Sequence, residues 1–174
     1  MSQAPSFERV LVVEDLDEPR RWLAELLPQA LPVVRVVDAA ASLAQARALM
    51  ASHTYGLALV DWGLPDGHGG ELIVELLAAR PDAVVVVATI HDDDAHVFPA
   101  LRAGASGYIL KSQPAEVVMA QLRRIEQGEP ALSPSIASRV LKHFHEVRVA
   151  DAKSQVQLTE REVEVLRLIA KGYK

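Results

Sequence analysis

The sequence predicts an α/β fold: a five-stranded, doubly wound parallel sheet with an all-α C-terminal extension. Three observations predict it. Short apolar runs alternate five times with amphipathic helical stretches over residues 1–128. The fourth run, Ala83–Ala88 (AVVVVA), has no polar alternation, as suits a strand covered on both faces. After Gly128 the alternation stops and helical patterns alone continue. Strict alternation implies right-handed crossovers with helices on both sides of the sheet.

The elements follow in order. Arg9–Val13 (RVLVV), Val33–Val37 (VVRVV), Leu57–Val60 (LALV), Ala83–Ala88 and Gly107–Leu110 (GYIL) are the strands. Pro19–Leu27 places Trp22, Leu23, Leu26 and Leu27 on one helical face. Ser42 opens a second helix, with Gln45 in capping-box position, which runs to Ser52. Gly70–Ala79 is a third, stopped by Pro81, and Asp93–Ala103 a fourth, ended by Gly104. Pro114–Gln127 is a fifth, with Val118, Leu122 and Ile125 on one side and Gly128 at its end. Residues 129–157 form a linker that holds a helix over 133–146. Ser133-Pro134 puts proline at its first helical position, and Ile136, Val140, Phe144 and Val147 form its apolar stripe. Val149–Val156 is polar, a second linker stretch. Thr159 then caps a last helix with Glu162 as box partner and Val163, Leu166, Ile169 and Ala170 as apolar face. A lone amphipathic helix cannot bury its own face, so 158–174 read as the start of a further domain.

Composition narrows the function. Half of the 174 residues are apolar and 24% are charged, enough for a buried core. No apolar run approaches the roughly 18 to 20 residues that cross a bilayer. The N-terminus MSQAPSFERV has no apolar stretch of the secretory kind, so the chain reads as soluble and cytoplasmic, with no membrane partner. With no cysteine, disulfides, thiolate metal sites, iron–sulfur clusters and cysteine nucleophiles are excluded. Residues 1–128 carry 10 Lys+Arg against 17 Asp+Glu, net −7, and residues 129–174 carry 8 against 6, net +2. The first part is thus a poor nucleic-acid binder, and the tail permits such contact without arguing for it.

In an open α/β sheet the binding crevice lies beyond the carboxyl ends of the strands. Glu14 and Asp15 follow the first strand, Asp61 ends the third, Thr89 follows the fourth and Lys111 the fifth. Each alone has an ordinary explanation: a capping loop, a turn before Pro65-Asp66-Gly67, a locally bonded hydroxyl, a solvated lysine. Together they bring three acids, a hydroxyl and an ammonium to one edge. Clustered carboxylates repel one another unless they share a cation. Oxygen ligands suit Mg2+. A divalent cation, a lysine and a hydroxyl donor accept phosphoryl oxygens, with Asp61 as nucleophile and an aspartyl phosphate as product.

The segments VLVVEDLDEPR, LALVDWGLPDGHGGELI, VVVVATI and GASGYILKS resemble those of a two-component response regulator. The spacing is 46 residues from Asp15 to Asp61, 28 on to Thr89 and 22 on to Lys111. The resemblance covers residues 1–128 and implies a flavodoxin-like receiver domain. The tail LTEREVEVLRLIAKG resembles the opening of a LuxR-type (NarL/FixJ subfamily) helix-turn-helix domain. The resemblance implies that Asp61 takes a phosphoryl group from a phosphohistidine on a sensor histidine kinase. Asp15 and Asp61 would ligate Mg2+ directly, Glu14 directly or through water, and the backbone carbonyl of Gly63 would be a further ligand. Lys111 would pair with the phosphoryl group, the Thr89 hydroxyl would turn toward it, and Tyr108 would move inward behind Thr89. That movement would switch a surface made by the fourth helix, fifth strand and fifth helix. The chain would be a phosphoacceptor with self-catalysed transfer and autodephosphorylation, not a turnover enzyme. It would dimerise with itself on phosphorylation, and the complete protein would bind DNA to regulate transcription.

Some positions stand apart. Ile90 follows Thr89 where the family usually has a small residue; its bulk would narrow access to Asp61 and lengthen the life of the acyl phosphate. Ser112 follows Lys111 in place of proline, and no cis bond is assumed there. His91–Asp94 (HDDD) is unusually acidic beside a phosphate site and reads as a solvated loop and helix cap. His53, His68, His91, His96, His143 and His145 have no recognised metal spacing and read as surface or boundary residues. Gly67, Gly69 and Gly70 form no nucleotide loop, and Trp22 and Trp62 read as packing residues.

Two rival functions stand beside a transcription regulator. One is a receiver that acts through protein partners only. A helix-turn-helix reads bases with its second helix, and the chain stops at Lys174 before one. Residues 1–174 alone are therefore expected not to bind DNA specifically and to be a truncated form of a longer regulator. The other is a phosphatase of the haloacid-dehalogenase type, which needs Asp-x-Asp where this chain has Asp61-Trp62-Gly63. The helix from Ser133 to His145 has two uses open to it: docking an effector domain on the receiver, or pairing with a second chain.

Overall fold

The computed structural model describes residues 6–151 and 159–172. In chain order the strands are β1 (Arg9–Val13), β2 (Val36–Ala40), β3 (Leu57–Val60), β4 (Gly63–Leu64), β5 (Gly67–His68), β6 (Val84–Thr89) and β7 (Gly107–Leu110). The helices are α1 (Asp17–Ala30), α2 (Leu43–Ser52), α3 (Gly69–Ala79), α4 (Asp94–Ala103), α5 (Ala115–Glu126), α6 (Pro134–Asp151) and α7 (Glu160–Gly172). Five strands make one parallel sheet in the order β2-β1-β3-β6-β7; β4 and β5 form a small antiparallel hairpin beside it. The order reverses between β1 and β3, which opens a crevice at their carboxyl ends.

The sheet is buried on both faces. Val10, Val12, Leu57, Leu59, Val86, Ala88 and Ile109 pack with Leu23 and Leu27 of α1 and Val118 and Leu122 of α5. Leu11, Val13, Ala58, Val60, Val85 and Val87 pack on the other side with Leu43, Leu72, Ile73, Val97 and Leu101 of α2, α3 and α4. This double coverage removes any need for polar alternation along the strands. Gly104 closes α4 at φ 113°, a left-handed conformation that glycine adopts without a Cβ clash.

The second strand lies three residues beyond the expected Val33–Val37. The Val34 N–H donates to the Leu31 carbonyl at 3.0 Å and closes a turn, so pairing begins only at Arg9↔Val36. An edge strand takes its extent from its one neighbour, not from where valines cluster.

The C-terminal helices also depart from expectation. α6 runs on to Asp151, so the stretch from Val149 expected as linker begins as helix, and its residues 152–156 lie outside the described residues. Ile136, Ala137, Val140 and Phe144 are buried. α7 has the expected capping box: the Glu162 N–H donates to Thr159 Oγ1 at 3.3 Å, and the Thr159 N–H to Glu162 Oε2 at 2.9 Å. Its apolar face is rotated from the expected one. Val165 and Ile169 are buried in the same core as Phe98 and Leu101, while Ala170 is exposed. The partner surface decides this. Arg161 donates to the Gly104 carbonyl and to Ser106 Oγ, both at 2.9 Å, and Arg102 of α4 pairs with Glu162, which turns Val165 inward. Among the described residues no helix is long and apolar enough to cross a membrane.

Candidate functional site

The crevice is built by strand ends that lie side by side. Val13 and Val60 are register partners, and the Asp61 N–H donates to the Val13 carbonyl at 2.9 Å, which sets Asp61 against the start of the β1–α1 loop. The Glu14 N–H donates to Ala40 at 3.0 Å, and the residue is fully buried. Lys111 leaves β7 with its N–H bonded to the Thr89 carbonyl at 2.9 Å. Its Nζ reaches both acids, standing 2.9 Å from Asp61 Oδ2 and in contact with Glu14 Oε2. The other Asp61 oxygen, Oδ1, accepts the Trp62 N–H at 2.7 Å. Glu14, Asp15 and Asp61 bring carboxylate oxygens within 4.8 Å of one another. A cavity of about 430 Å³ opens over them; Asp61, Gly63, Thr89, Ile90 and Lys111 are among its walls.

Burial is the largest influence on Glu14 and raises its pKa above the usual carboxylate range; Asp61 adds to the rise, and Lys111 opposes it. Burial also works to lower the Lys111 pKa, but hydrogen bonds to Glu14 and Asp61 together outweigh it, and the ammonium is held charged above its ordinary value. When ionised, three carboxylates and one ammonium leave two negative charges uncompensated at one point. The donors are all oxygen. Both features fit a hard dication such as Mg2+ and suit a soft metal poorly.

Thr89 is buried, and its Oγ1 accepts the His91 N–H at 3.4 Å. Tyr108 is fully buried behind it and donates from its hydroxyl to the His91 carbonyl at 2.6 Å. The inward position of Tyr108, expected as the end of a movement, is therefore the one this structure holds. Burial, reinforced by the nearby aspartates Asp93, Asp61 and Asp92, raises the Tyr108 pKa and keeps the phenol protonated.

Of the residues singled out, Glu14, Asp15 and Asp61 cluster, Lys111 bridges two of them, Gly63 and Thr89 line the cavity, and Tyr108 lies outside its wall, joined to it through the His91 backbone. Four supporting residues were not visible as such in the sequence. Arg20 donates to the carbonyls of Glu14 (2.8 Å) and Asp15 (3.0 Å) and so clamps the acidic loop. Asp66 accepts the N–H groups of Leu43 (2.8 Å) and Ala44 (2.9 Å) and caps α2. At Gly69 a Cβ would stand 2.2 Å from the Asp61 carbonyl, so the close approach of α3 admits glycine only. His91 joins Thr89 to Tyr108 through its backbone, for which side-chain chemistry offers no signal. Trp22 packs on the core as expected but also lines the cavity.

Residues 10–123 match the family described as response regulator receiver domain. The chain is 32% identical over 145 residues to the oxygen regulatory protein NreC of Staphylococcus carnosus, a match covering 80% of this chain and 67% of that protein. It is 30% identical over 164 residues to the transcriptional regulatory protein LiaR of Bacillus subtilis, covering 94% and 77%. Among solved structures it is similar to a LuxR-family two-component response regulator from Aurantimonas sp. SI85-9A1. That match has a TM-score of 0.68 and 26% identity, and covers 78% of this chain and 96% of that one.

Proposed function

The chain belongs to the response regulator receiver family, and from that premise we propose that it is a phosphoacceptor whose phosphorylation on Asp61 controls transcription. The observation that supports this most is the state of Asp61. One oxygen is tied to the Trp62 N–H and the other to Lys111, beneath an open cavity and beside two further carboxylates.

The chemistry follows from those contacts. An Asp61 oxygen attacks the phosphorus of a donor, the phosphohistidine of a sensor histidine kinase. The new O–P bond forms as the N–P bond breaks, and the departing imidazole takes its proton from solvent. Lys111 moves its contact from the Asp61 carboxylate to a phosphoryl oxygen. Glu14, Asp15, Asp61 and the Gly63 carbonyl would hold Mg2+, which when bound neutralises charge on the phosphoryl oxygens. The Thr89 hydroxyl turns toward the phosphoryl group and gives up the His91 N–H. With Tyr108 bonded to the next group of that backbone, the event passes into the loop that starts α4. We assign residues 1–128 as receiver, 129–157 as linker and 158–174 as the start of a LuxR-type helix-turn-helix unit. DNA is then the partner of the complete protein, and a second copy of the chain its partner on phosphorylation.

Intact mass after treatment with acetyl phosphate and Mg2+ tests the assignment. Wild type gains one phosphoryl group and Asp61→Asn gains none; equal incorporation in both refutes it.

A further inference from the structure

We propose that His91, Asp93 and His96 form a second cation site, for a borderline-soft divalent metal of the zinc, cobalt or nickel kind, at the start of α4. The three residues bring ligand atoms within 4.8 Å of one another. The two imidazoles stack face to face, with ring centroids 4.2 Å apart and planes 9° from parallel, so one ring must turn about its side-chain torsions before both nitrogens engage one ion. His96 Nδ1 is 2.7 Å from one Asp93 oxygen and 2.9 Å from the other.

Asp93 occupies the N-cap of α4, with the extended backbone of a cap, yet its carboxylate makes no capping hydrogen bond. The ordinary use of an aspartate at this position is to accept N–H groups of the first turn. The nearest partner of the carboxylate is the His96 ring, and the His96 and Val97 N–H groups donate to the Asp93 main-chain carbonyl. Two nitrogens and a carboxylate leave a fourth position for water, the usual set for a tetrahedral zinc-type ion. Asp92 and Asp94 flank the cluster; Arg139 pairs with Asp94 at 2.9 Å and also attracts Asp92 and Asp93, but one guanidinium against three aspartates still leaves a local field that favours a cation. His91 and Asp93 are exposed, so an ion reaches the site from solvent.

The two cation sites differ in chemistry. Imidazole nitrogen selects late first-row metals, and the all-oxygen pocket at Asp61 selects Mg2+. This inference does not depend on the phosphoacceptor reading.

The test is calorimetric titration of the 174-residue chain with Zn2+, and absorption titration with Co2+, both in saturating Mg2+. Wild type should bind one equivalent and show the intense visible bands of low-coordinate Co2+. His91→Ala and His96→Ala should each weaken binding on the order of ten-fold or more, since each removes one of three protein ligands. His143→Ala and Asp61→Asn should bind as wild type does. No binding by wild type, or unchanged affinity in both His91→Ala and His96→Ala, overturns the proposal. So does loss of binding in Asp61→Asn, which places the ion in the acidic pocket. Circular dichroism of each variant confirms that it is folded.

Discussion

Lys111 and Asp61 meet across the crevice, Nζ 2.9 Å from Oδ2, with both side chains largely withdrawn from solvent. The same ammonium holds the fully buried Glu14, so one lysine answers for two acids. Breaking a buried pair leaves an uncompensated charge, which costs about 3 to 5 kcal/mol. Lys111→Ala should destabilise the metal-free protein by that order at neutral pH, read by denaturant unfolding, and Mg2+ should recover much of the loss. Phosphorylation should still occur, but its effect on amide exchange in α4 and β7 should be weakened. A wild-type exchange response in this variant rules out a coupling role for the lysine.

Glu14 sets a pH dependence. Its native pKa lies above the ordinary value of 4.5, so the native state binds more protons than the unfolded state over that interval. Stability from this group is present at low pH and is lost as pH rises from 4.5 through the raised value. Thermal unfolding of metal-free protein should show that loss in wild type and not in Glu14→Gln. Added Mg2+ should stabilise wild type above this window and the variant much less. A constant difference between the two proteins across the window refutes the assignment.

Tyr108→Phe keeps the ring and deletes the hydroxyl that bonds the His91 carbonyl at 2.6 Å. The cost should be about 1 kcal/mol of stability, together with faster exchange of amides in the β6–α4 loop. Unaltered exchange there means the phenol does not hold the loop.

Ile90 stands over the cavity, 67% exposed and in its wall. Ile90→Ala should speed autodephosphorylation of Asp61 by opening the path for water, and its exposure predicts a stability change within about 0.5 kcal/mol. Phosphate release at an unchanged rate removes the shielding role.

Much of this was legible in the chain. β1, β3 and β7 were bounded correctly because strands buried on both faces must be apolar throughout, and Asp61, Thr89 and Lys111 were found because strand ends are where sequence position maps onto one edge in space. What failed depended on neighbours. β2 lies three residues on because it is half-exposed, so no unbroken apolar run marks it and its bounds follow its pairing to β1. The buried stripe of α7 turned because Arg161 anchors it to Gly104 and Ser106. The roles of Arg20 and His91 are not legible in the chain because each acts on or through main-chain groups, and a residue type says little about main-chain bonds.

The Arg161 anchor has a mechanical consequence. Ser106 sits just ahead of β7 and Lys111 just behind it, so the guanidinium and the ammonium grip opposite ends of one extended segment roughly 17 Å long at about 3.3 Å per residue. A strand is stiff along its length. Any slide of the lysine end therefore reaches the foot of the last helix through one rigid segment and a single hydrogen bond, from Arg161 to Ser106, like a pushrod between two bearings.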